Sequence, residues 1–298
     1  MDPRRRALLA FLALAPAVRP SLAQDRIMTK QIPSTREPLP VIGVGTWQTF
    51  DVGADNAARA RLRDVLKLLK GNVVDSSPMY GSSESVAGDL IAELGTRDQL
   101  FMATKVWTSG RAEGIAQMET SFKRLRVERM DLMQIHNLVD VETHTRTLLE
   151  MKSRNTIRYL GITHYTSSAY AEVERWLKTR QYDFLQINYS LGERAAENRL
   201  LPLAKDLNVA VIANRPFAEG SLFRTTKNKS LPPWAAELGI ASWAQYFLKW
   251  IVSHPAVTCA IPGTGNPRHM QDNLRAGVGK LPNAEQRRKM AEYFDAQS

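Results

Sequence analysis

Cysteine is nearly absent from this 298-residue chain, and the one that is present, Cys259, cannot form a disulfide within it. Cys259 lies in the apolar run VTCAIPG, where we expect a small buried side chain and not a nucleophile. Blocks of five or more like charges are also missing, and the formal net charge of +10 is scattered along predicted helix faces. Scattered basic residues are typical of a solvated surface, so we expect no nucleic-acid partner.

Apolar stretches near the start are too short to cross a bilayer. Arg4, Arg5 and Arg6 precede an apolar segment over residues 7–18, and Ser21-Leu22-Ala23 has the small-x-small form of a cleavage site. These parts predict an export signal over residues 1–23, of twin-arginine type, and a periplasmic or otherwise exported domain over residues 24–298 without stable membrane insertion. A misassigned start codon or an amphipathic tail is the alternative.

Eight short apolar runs follow one another from about residue 41, and segments of helical period separate them. Leu62, Val65, Leu66 and Leu69 show this period between the first two runs. The alternation predicts an α/β domain built as a single (β/α)₈ TIM barrel, because right-handed crossovers bury both sides of each strand. An open, doubly wound sheet is the alternative. The runs are VIGVGTW, NVVDSS, LFMATKVW, MDLMQIHN, IRYLGITHY, FLQINYS, VAVIANRP and VTCAIPG.

Three further segments flank or interrupt this pattern. Residues 27–40 could form an N-terminal hairpin ahead of the barrel, and residues 283–295 predict a C-terminal helix. Residues 217–237 are rich in Lys, Ser and Pro and lack a clear period. We interpret them as a long loop, and therefore as a candidate lid or cofactor clasp.

Ionisable side chains end three neighbouring runs. Asp75 ends the second run, Lys105 the third and His136 the fourth, while Tyr80 lies in the loop just after Asp75. Taken singly, they have ordinary structural explanations: a helix cap, a lysine reaching solvent, a core histidine and a packing tyrosine. Because the carboxyl ends of barrel strands meet at one rim, we expect all four side chains at the same mouth.

Together these four side chains could donate a proton to a carbonyl group. A lysine cation lowers the pKa of a neighbouring phenol, and a carboxylate paired with the lysine keeps the lysine charged. His136 could orient the carbonyl and stabilise the charge that develops on its oxygen. No Ser, Cys or metal-ligand cluster with suitable spacing accompanies them, so we expect no metal and a hydride from a bound cofactor.

The ordered blocks VIGVGTW, VVDSSPMYGSSESVAG, ATKVW, DLMQIHN, GITHY, QINYS and IPGTGNPRHMQDNLRA resemble the signature blocks of the aldo-keto reductase family. The resemblance covers nearly all of the chain after residue 23, and its Asp-x4-Tyr-Gly stretch is the most specific part. It implies a single-domain barrel, usually NADPH-dependent, that reduces aldehydes and ketones to alcohols. The family's catalytic tetrad falls on Asp75, Tyr80, Lys105 and His136.

The resemblance also implies where the nicotinamide end of a cofactor binds. Thr163 and His164 stand where the family often has Ser and Asn holding the carboxamide, and Gln186 follows as a match. Asn214 is a departure, because many members have an aromatic ring there. We expect Arg215 or Phe217 to supply part of the lost contact. The implied cofactor residues at this end are Gly45, Thr46, Thr163, His164, Gln186, Asn214, Arg215, Pro216, Phe217, Gly220 and Leu222.

The adenosine end is implied by the segment after the eighth run. Glycines ahead of a helix leave backbone donors free for an anion. Gly263 and His269 replace a frequent Lys and Arg, so the preference for NADP(H) is weaker than usual, and NAD(H) stays an alternative. The implied residues at this end are Pro262, Gly263, Thr264, Arg268, His269, Asp272 and Asn273.

Trp47, Trp107 and Asn137 are implied to line the substrate mouth, where aromatic walls suit apolar carbonyl compounds. The leading hypothesis is therefore an NAD(P)H-dependent oxidoreductase acting on a small-molecule carbonyl or alcohol, with Tyr80 as general acid. The alternative is a non-catalytic, nucleotide-binding sensor or partner subunit with the same fold, which the departures at His164 and Asn214 suggest.

Overall fold

Eight parallel strands form the centre of the fold in the computed structural model, which describes residues 27–297. Each strand pairs with the next one along the chain. The first and last strands also meet, since Gly43 N donates to Ala260 O at 2.8 Å and Gly45 N donates to Pro262 O at 3.2 Å. The predicted (β/α)₈ barrel is therefore confirmed over the open sheet. The predicted export signal, residues 1–23, lies outside the described residues.

The strands within residues 27–297 are β1 (Thr29–Gln31), β2 (Pro38–Pro40), β3 (Val44–Gly45), β4 (Val73–Asp75), β5 (Phe101–Val106), β6 (Met130–His136), β7 (Ile157–Thr163), β8 (Phe184–Asn188), β9 (Ala210–Asn214) and β10 (Val257–Ala260). The α-helices are α1 (Asn56–Lys67), α2 (Ser83–Leu94), α3 (Arg111–Leu125), α4 (Val141–Ser153), α5 (Tyr170–Leu177), α6 (Leu200–Asp206), α7 (Ser221–Thr225), α8 (Trp243–Val252), α9 (Pro267–Arg275) and α10 (Ala284–Asp295). The predicted C-terminal helix is α10.

Apolar side chains alternate between two layers along the barrel strands. Phe101 and Ala103 of β5 belong to an inner cluster, while Met102 between them packs in the larger cluster beneath the helices. Every residue of β4, β5 and β6 is buried, which explains why these strands read as continuous apolar runs. Cys259 is fully buried in the inner cluster, and burial raises the pKa of its thiol. The prediction of a small buried side chain is confirmed.

The predicted N-terminal hairpin, β1 and β2, covers the end of the barrel at which the parallel strands begin. Its Ile32 and Leu39 pack within the inner cluster. Glu37 accepts a hydrogen bond from the Tyr159 hydroxyl at 2.6 Å and forms an ion pair with Arg158, and both partners lie near the start of β7. Because this end is closed, a site in the barrel must open at the other end.

The segment over residues 217–237 is more regular than the sequence predicted. It contains α7 and 3₁₀ turns at Ala218–Gly220 and Pro233–Leu238, so the prediction of a loop without regular structure was wrong in this respect. Elements this short leave no detectable helical period. Phe217 and Phe223 pack against each other with ring centroids 4.8 Å apart. Within residues 27–297, no helix combines the length and apolar character needed to cross a membrane.

Candidate active site

A buried ion pair lies at the open end of the barrel. Lys105 Nζ donates to Asp75 Oδ2 at 2.6 Å and to the Ser76 carbonyl oxygen at 2.7 Å. The other carboxylate oxygen, Asp75 Oδ1, accepts from Gln134 Nε2 at 3.0 Å and from Gln186 Nε2 at 2.9 Å. A charge taken out of water is tolerated only when it is paired and hydrogen-bonded in this way.

The lysine remains a cation despite its complete burial. Burial alone lowers the pKa of Lys105, but the Asp75 carboxylate and the Tyr80 phenol act in the opposite direction and outweigh it, so the pKa is raised. The predicted role of Asp75 in holding the charge of Lys105 agrees with this balance.

Tyr80 reaches the same point from the loop after β4. Lys105 Nζ lies 5.0 Å from the centroid of the Tyr80 ring, close enough for its charge to act on the phenol. Burial raises the pKa of the phenol, the Lys105 charge lowers it, and the net pKa is above its ordinary value of 10.0. The expected effect of Lys105 is present, but the prediction of a lowered pKa was wrong because burial has the larger effect.

His136, at the end of β6, completes the group as a neutral imidazole. Burial first and the Lys105 charge second lower the pKa of His136 to about 2. Its ring meets the Tyr80 ring edge to face, with centroids 5.9 Å apart. Ser77 Oγ lies 3.0 Å from His136 Nδ1 and also accepts from Met79 N at 3.4 Å. The Ser77 proton can therefore go to Nδ1, which leaves an N–H on Nε2 as a donor.

These side chains border a cleft of about 710 Å³ at the open end of the barrel. Asp75, Tyr80 and His136 line it, and Lys105 lies buried behind them. The predicted substrate residues Trp47, Trp107 and Asn137 also line it. The predicted cofactor residues among its walls are Gly45, Thr46, Thr163, Gln186, Asn214, Arg215, Pro216, Phe217, Gly220 and Gly263.

The remaining predicted cofactor residues lie outside the walls of this cleft. His164 Nδ1 accepts from Thr166 N at 3.2 Å, and the His164 ring stacks on the Tyr165 ring at a centroid distance of 5.5 Å. Asp272 of α9 accepts from Ser242 Oγ and from Gln245 Nε2, each at 2.6 Å, so both its oxygens already have partners within the protein. Leu222, Pro262, Thr264 and Asn273 are buried, and Arg268 and His269 are exposed on α9.

The backbone along one edge of the cleft is strained. Arg215, Ala218 and Glu219 have φ angles of 48°, 45° and 53°, a left-handed conformation that costs about 1 kcal/mol or more for each non-glycine residue. Arg215 is held by the Tyr165 carbonyl oxygen at 3.0 Å and by the Glu219 carboxylate at 3.2 Å. Strain of this kind clusters at functional sites, which agrees with a ligand-binding role for this edge.

Two amides at the cleft have an unsatisfied acceptor. Asn214 Nδ2 donates to the His164 carbonyl oxygen at 3.3 Å, whereas Asn214 Oδ1 is buried without a donor. Asn137 Oδ1 is likewise buried without a donor. Buried polar atoms are nearly always hydrogen-bonded in proteins, so these two positions suit a bound molecule that carries N–H or O–H groups.

Several residues of the site were missed from the sequence. Gln134 was not considered, although it is a polar residue in an apolar run and lies two positions before His136, on the same face of β6. Ser77, which contacts His136, follows Asp75 closely and could have been found from the same strand end. Met79, Tyr165 and Phe223 of the cleft wall gave no comparable signal.

The fold and the side-chain arrangement define a barrel with a reductase-like site, and residues 41–290 match the model of the Aldo/keto reductase family. The chain belongs to this family. The chain is 29% identical over 260 residues to methylglyoxal reductase YeaE of Escherichia coli (strain K12), covering 83% of this chain and 88% of that protein. It is 26% identical over 238 residues to the NADH-specific methylglyoxal reductase of the same organism, covering 68% and 72%.

Solved structures share the fold. An aldo/keto reductase from Klebsiella pneumoniae, in complex with NADP and acetate, superposes with a TM-score of 0.75 at 24% identity, over 90% of this chain and 96% of that one. This likeness confirms the barrel.

Proposed function

We propose that this protein is a nicotinamide-dependent carbonyl reductase that converts an aldehyde or ketone into an alcohol. The observation that carries the proposal is the meeting of a charged Lys105–Asp75 pair, the Tyr80 phenol and the neutral His136 imidazole at one cleft. Membership of the aldo-keto reductase family supports it. A reduced nicotinamide, when bound, supplies the hydride that the side chains themselves lack.

The residues of the cleft fit a nicotinamide nucleotide. The free acceptor Asn214 Oδ1, together with Thr163 and Gln186, provides polar atoms for a carboxamide group. We place the phosphates along the segment from Arg215 to Gly220. Glu219, the acidic residue in that wall, would not repel them, because the Arg215 guanidinium pairs with its carboxylate. The start of α9, where Asn266 caps the helix by accepting from Arg268 N, offers further backbone donors to an anion.

NADP(H) is the proposed cofactor, with NAD(H) as the second candidate. Arg268 is exposed in the first turn of α9, and an arginine is always charged and well shaped to bind a phosphate. The Klebsiella pneumoniae structure contains NADP, which supports the first candidate. A relative named as an NADH-specific methylglyoxal reductase supports the second.

Tyr80 acts in this proposal as the proton donor. Its raised pKa keeps the phenol protonated at neutral pH, so the proton is present when a carbonyl oxygen gains negative charge. The phenolate left behind is stabilised by Lys105, whose ammonium is fixed by Asp75 and by the Ser76 carbonyl oxygen. Water then returns a proton to Tyr80.

His136 orients the substrate and does not transfer the proton. With its pKa at about 2, the imidazole is neutral at working pH, and its Nε2–H can donate to the carbonyl oxygen beside Tyr80. A neutral donor polarises the carbonyl group without competing for the proton that Tyr80 gives.

Cofactor oxidation in the presence of an aromatic aldehyde tests the proposal. Purified protein is mixed with NADPH and the aldehyde, and the loss of NADPH absorbance is followed for the wild type and for Tyr80→Phe. We expect turnover by the wild type and a loss of about 100-fold or more in the variant, with NADPH binding retained. If both proteins bind NADPH and neither turns over, the protein is a nucleotide-binding sensor or partner subunit.

We also propose export by the twin-arginine route, supported by the pattern of residues 1–23. Cell fractionation followed by mass spectrometry tests it. We expect a periplasmic protein that begins at Gln24, and cytoplasmic retention when Arg4, Arg5 and Arg6 are all replaced by Lys. A full-length protein that stays in the cytoplasm without any substitution would contradict export.

A further inference from the structure

Large exposed hydrophobic side chains are concentrated at the cleft. Within residues 27–297 six such side chains are exposed, and five of them line the cleft. Single exposed hydrophobic residues are ordinary, but a contiguous group of them marks a binding surface. The five are Trp47, Met79, Trp107, Tyr165 and Phe223, and the sixth, Leu149, lies elsewhere, on α4.

The charged side chains in the wall of the same cleft are already paired. Asp75 is bonded to Lys105, and Arg215 is bonded to Glu219. His136 is neutral, with a pKa of about 2, and Tyr80 keeps its proton. The wall therefore offers no free charge to a carboxylate or phosphate on a substrate, and its affinity must come mainly from apolar contact.

The backbone of one aromatic residue in the wall, Trp107, is held by a pair of hydrogen bonds. Trp107 N donates to Gln117 Oε1 at 2.6 Å, and Gln117 Nε2 donates to the Trp107 carbonyl oxygen at 3.2 Å. Gln117 lies on α3, so the two bonds tie the end of β5 to that helix. The indole ring of Trp107 lies beside the His136 imidazole, with ring centroids 6.4 Å apart. A residue whose backbone is fixed before binding loses less conformational entropy when a ligand arrives.

Resting on the proposed function, we propose that this cleft selects bulky, uncharged aromatic carbonyl compounds over small polar dicarbonyls such as methylglyoxal. Gln117 is a positioning residue for this selection, because it fixes the backbone of Trp107. An aromatic substrate buries the exposed faces of Trp47 and Trp107, whereas a small dicarbonyl covers little of either ring.

Steady-state kinetics with two substrates test the selection. With NADPH as cofactor, we expect kcat/KM for naphthaldehyde to exceed that for methylglyoxal by at least about tenfold, mainly through a lower KM. Equal values, or a preference for methylglyoxal, would overturn the inference while leaving a carbonyl reductase in place.

Calorimetric titration with naphthylmethanol, in the presence of NADPH, separates binding from catalysis. We expect binding that weakens in Trp107→Ala. If neither aldehyde nor dicarbonyl is reduced and naphthylmethanol still binds in this Trp107-dependent way, the proposed function fails and the apolar selection stands. Absence of such binding overturns the selection whatever the turnover.

Variants assign the selection to particular residues. We expect Trp107→Ala to raise the KM for naphthaldehyde about tenfold while the KM for methylglyoxal changes less than about twofold. Gln117→Leu removes both hydrogen bonds to Trp107 and should shift the same ratio in the same direction. Gln117→Glu keeps the acceptor for Trp107 N, so its ratio of KM values should lie between those of Gln117→Leu and the wild type.

Leu149→Ala is the matched control, since Leu149 is exposed but outside the cleft, and it should change neither KM. If Gln117→Leu lowers kcat equally for both substrates and leaves the ratio of KM values unchanged, Gln117 is not a positioning residue for Trp107.

Discussion

Asp75 is the residue on which the other members of the site depend. Its carboxylate is nearly inaccessible to water, and it is compensated by Lys105 on one oxygen and by the amides of Gln134 and Gln186 on the other. Breaking a buried ion pair from one side is more costly than replacing the whole pair, because the remaining charge is left alone in a poorly solvated site.

Lys105→Met should therefore destabilise the protein as well as inactivate it. The substitution leaves the Asp75 carboxylate without its cation, and we expect the free energy of unfolding to fall by about 3–5 kcal/mol in urea denaturation. The double variant Lys105→Met/Asp75→Asn should recover most of that loss, because an amide oxygen can still accept from Gln134 and Gln186. Turnover should stay lost in both variants. A single variant as stable as the wild type would contradict this account of the pair.

Acid should destabilise the protein through His136. The pKa of His136 is about 2 in the folded protein against an ordinary 6.5, so below pH 6.5 the unfolded chain takes up a proton that the folded protein refuses. The contribution to stability is complete above pH 6.5 and declines by up to about 1.4 kcal/mol per pH unit as the pH falls toward 2. We expect a shallower decline of the unfolding free energy between about pH 6.5 and 4 in His136→Gln.

His254 contributes an acid-dependent decline of its own to the free energy of unfolding. Burial and the neighbouring Arg287 charge lower the pKa of His254 to about 4, so this residue adds a decline over the same interval that remains in His136→Gln. An unfolding free energy that declines as steeply in His136→Gln as in the wild type would show that His136 is not held neutral.

At the scale of elements, the hairpin β1–β2 stabilises the barrel without taking part in the chemistry. The Tyr159 hydroxyl joins the hairpin to β7 through Glu37 at 2.6 Å and Thr35 at 2.8 Å. Tyr159→Phe removes both hydrogen bonds, and we expect a loss of about 1–2 kcal/mol in the free energy of unfolding with kcat and KM unchanged. A change in kcat would mean that the closed end of the barrel is coupled to the cleft.

Hydrogen bonds to Asp272 join α9 to the start of α8, and we expect them to contribute to stability. Asp272 accepts from Ser242, which caps α8, and from Gln245 in the first turn of that helix. Asp272→Ala leaves both donors without this partner, so we expect a loss of about 1–3 kcal/mol in unfolding free energy measured without nucleotide. If Asp272 instead serves only to contact adenine, the variant will be as stable as the wild type without nucleotide and will bind NADPH more weakly.

At the scale of the whole molecule, much of the architecture could be predicted because burial on both faces leaves a legible pattern. The strands from β4 to β6 are wholly buried. β4 ends at Asp75, β5 ends one residue after Lys105, and β6 ends at His136, so the strand ends and their polar side chains could be recognised in the sequence. The turns of residues 217–237 were not, because helices of a few residues carry no period.

Contacts set by tertiary packing were the harder part. The hydrogen bonds between Gln117 and Trp107 depend on how α3 lies against β5, and no local sequence pattern predicts them. The net pKa of Tyr80 likewise depends on two opposing effects, and only the surrounding packing shows that burial exceeds the influence of Lys105. The sequence predicted the lowering effect of Lys105 but not the opposing effect of burial.

The single-turnover rate of carbonyl reduction in Tyr80→Phe, at saturating NADPH and naphthaldehyde, tests the central claim most directly. The protein is first saturated with NADPH and then mixed with naphthaldehyde in excess over the enzyme. The first turnover is followed by stopped-flow absorbance. We predict a rate lower than that of the wild type by about 10²–10⁴-fold, because the carbonyl oxygen has lost its proton donor while NADPH still binds. A variant that reduces the aldehyde at the wild-type rate would contradict the assignment of Tyr80 as general acid.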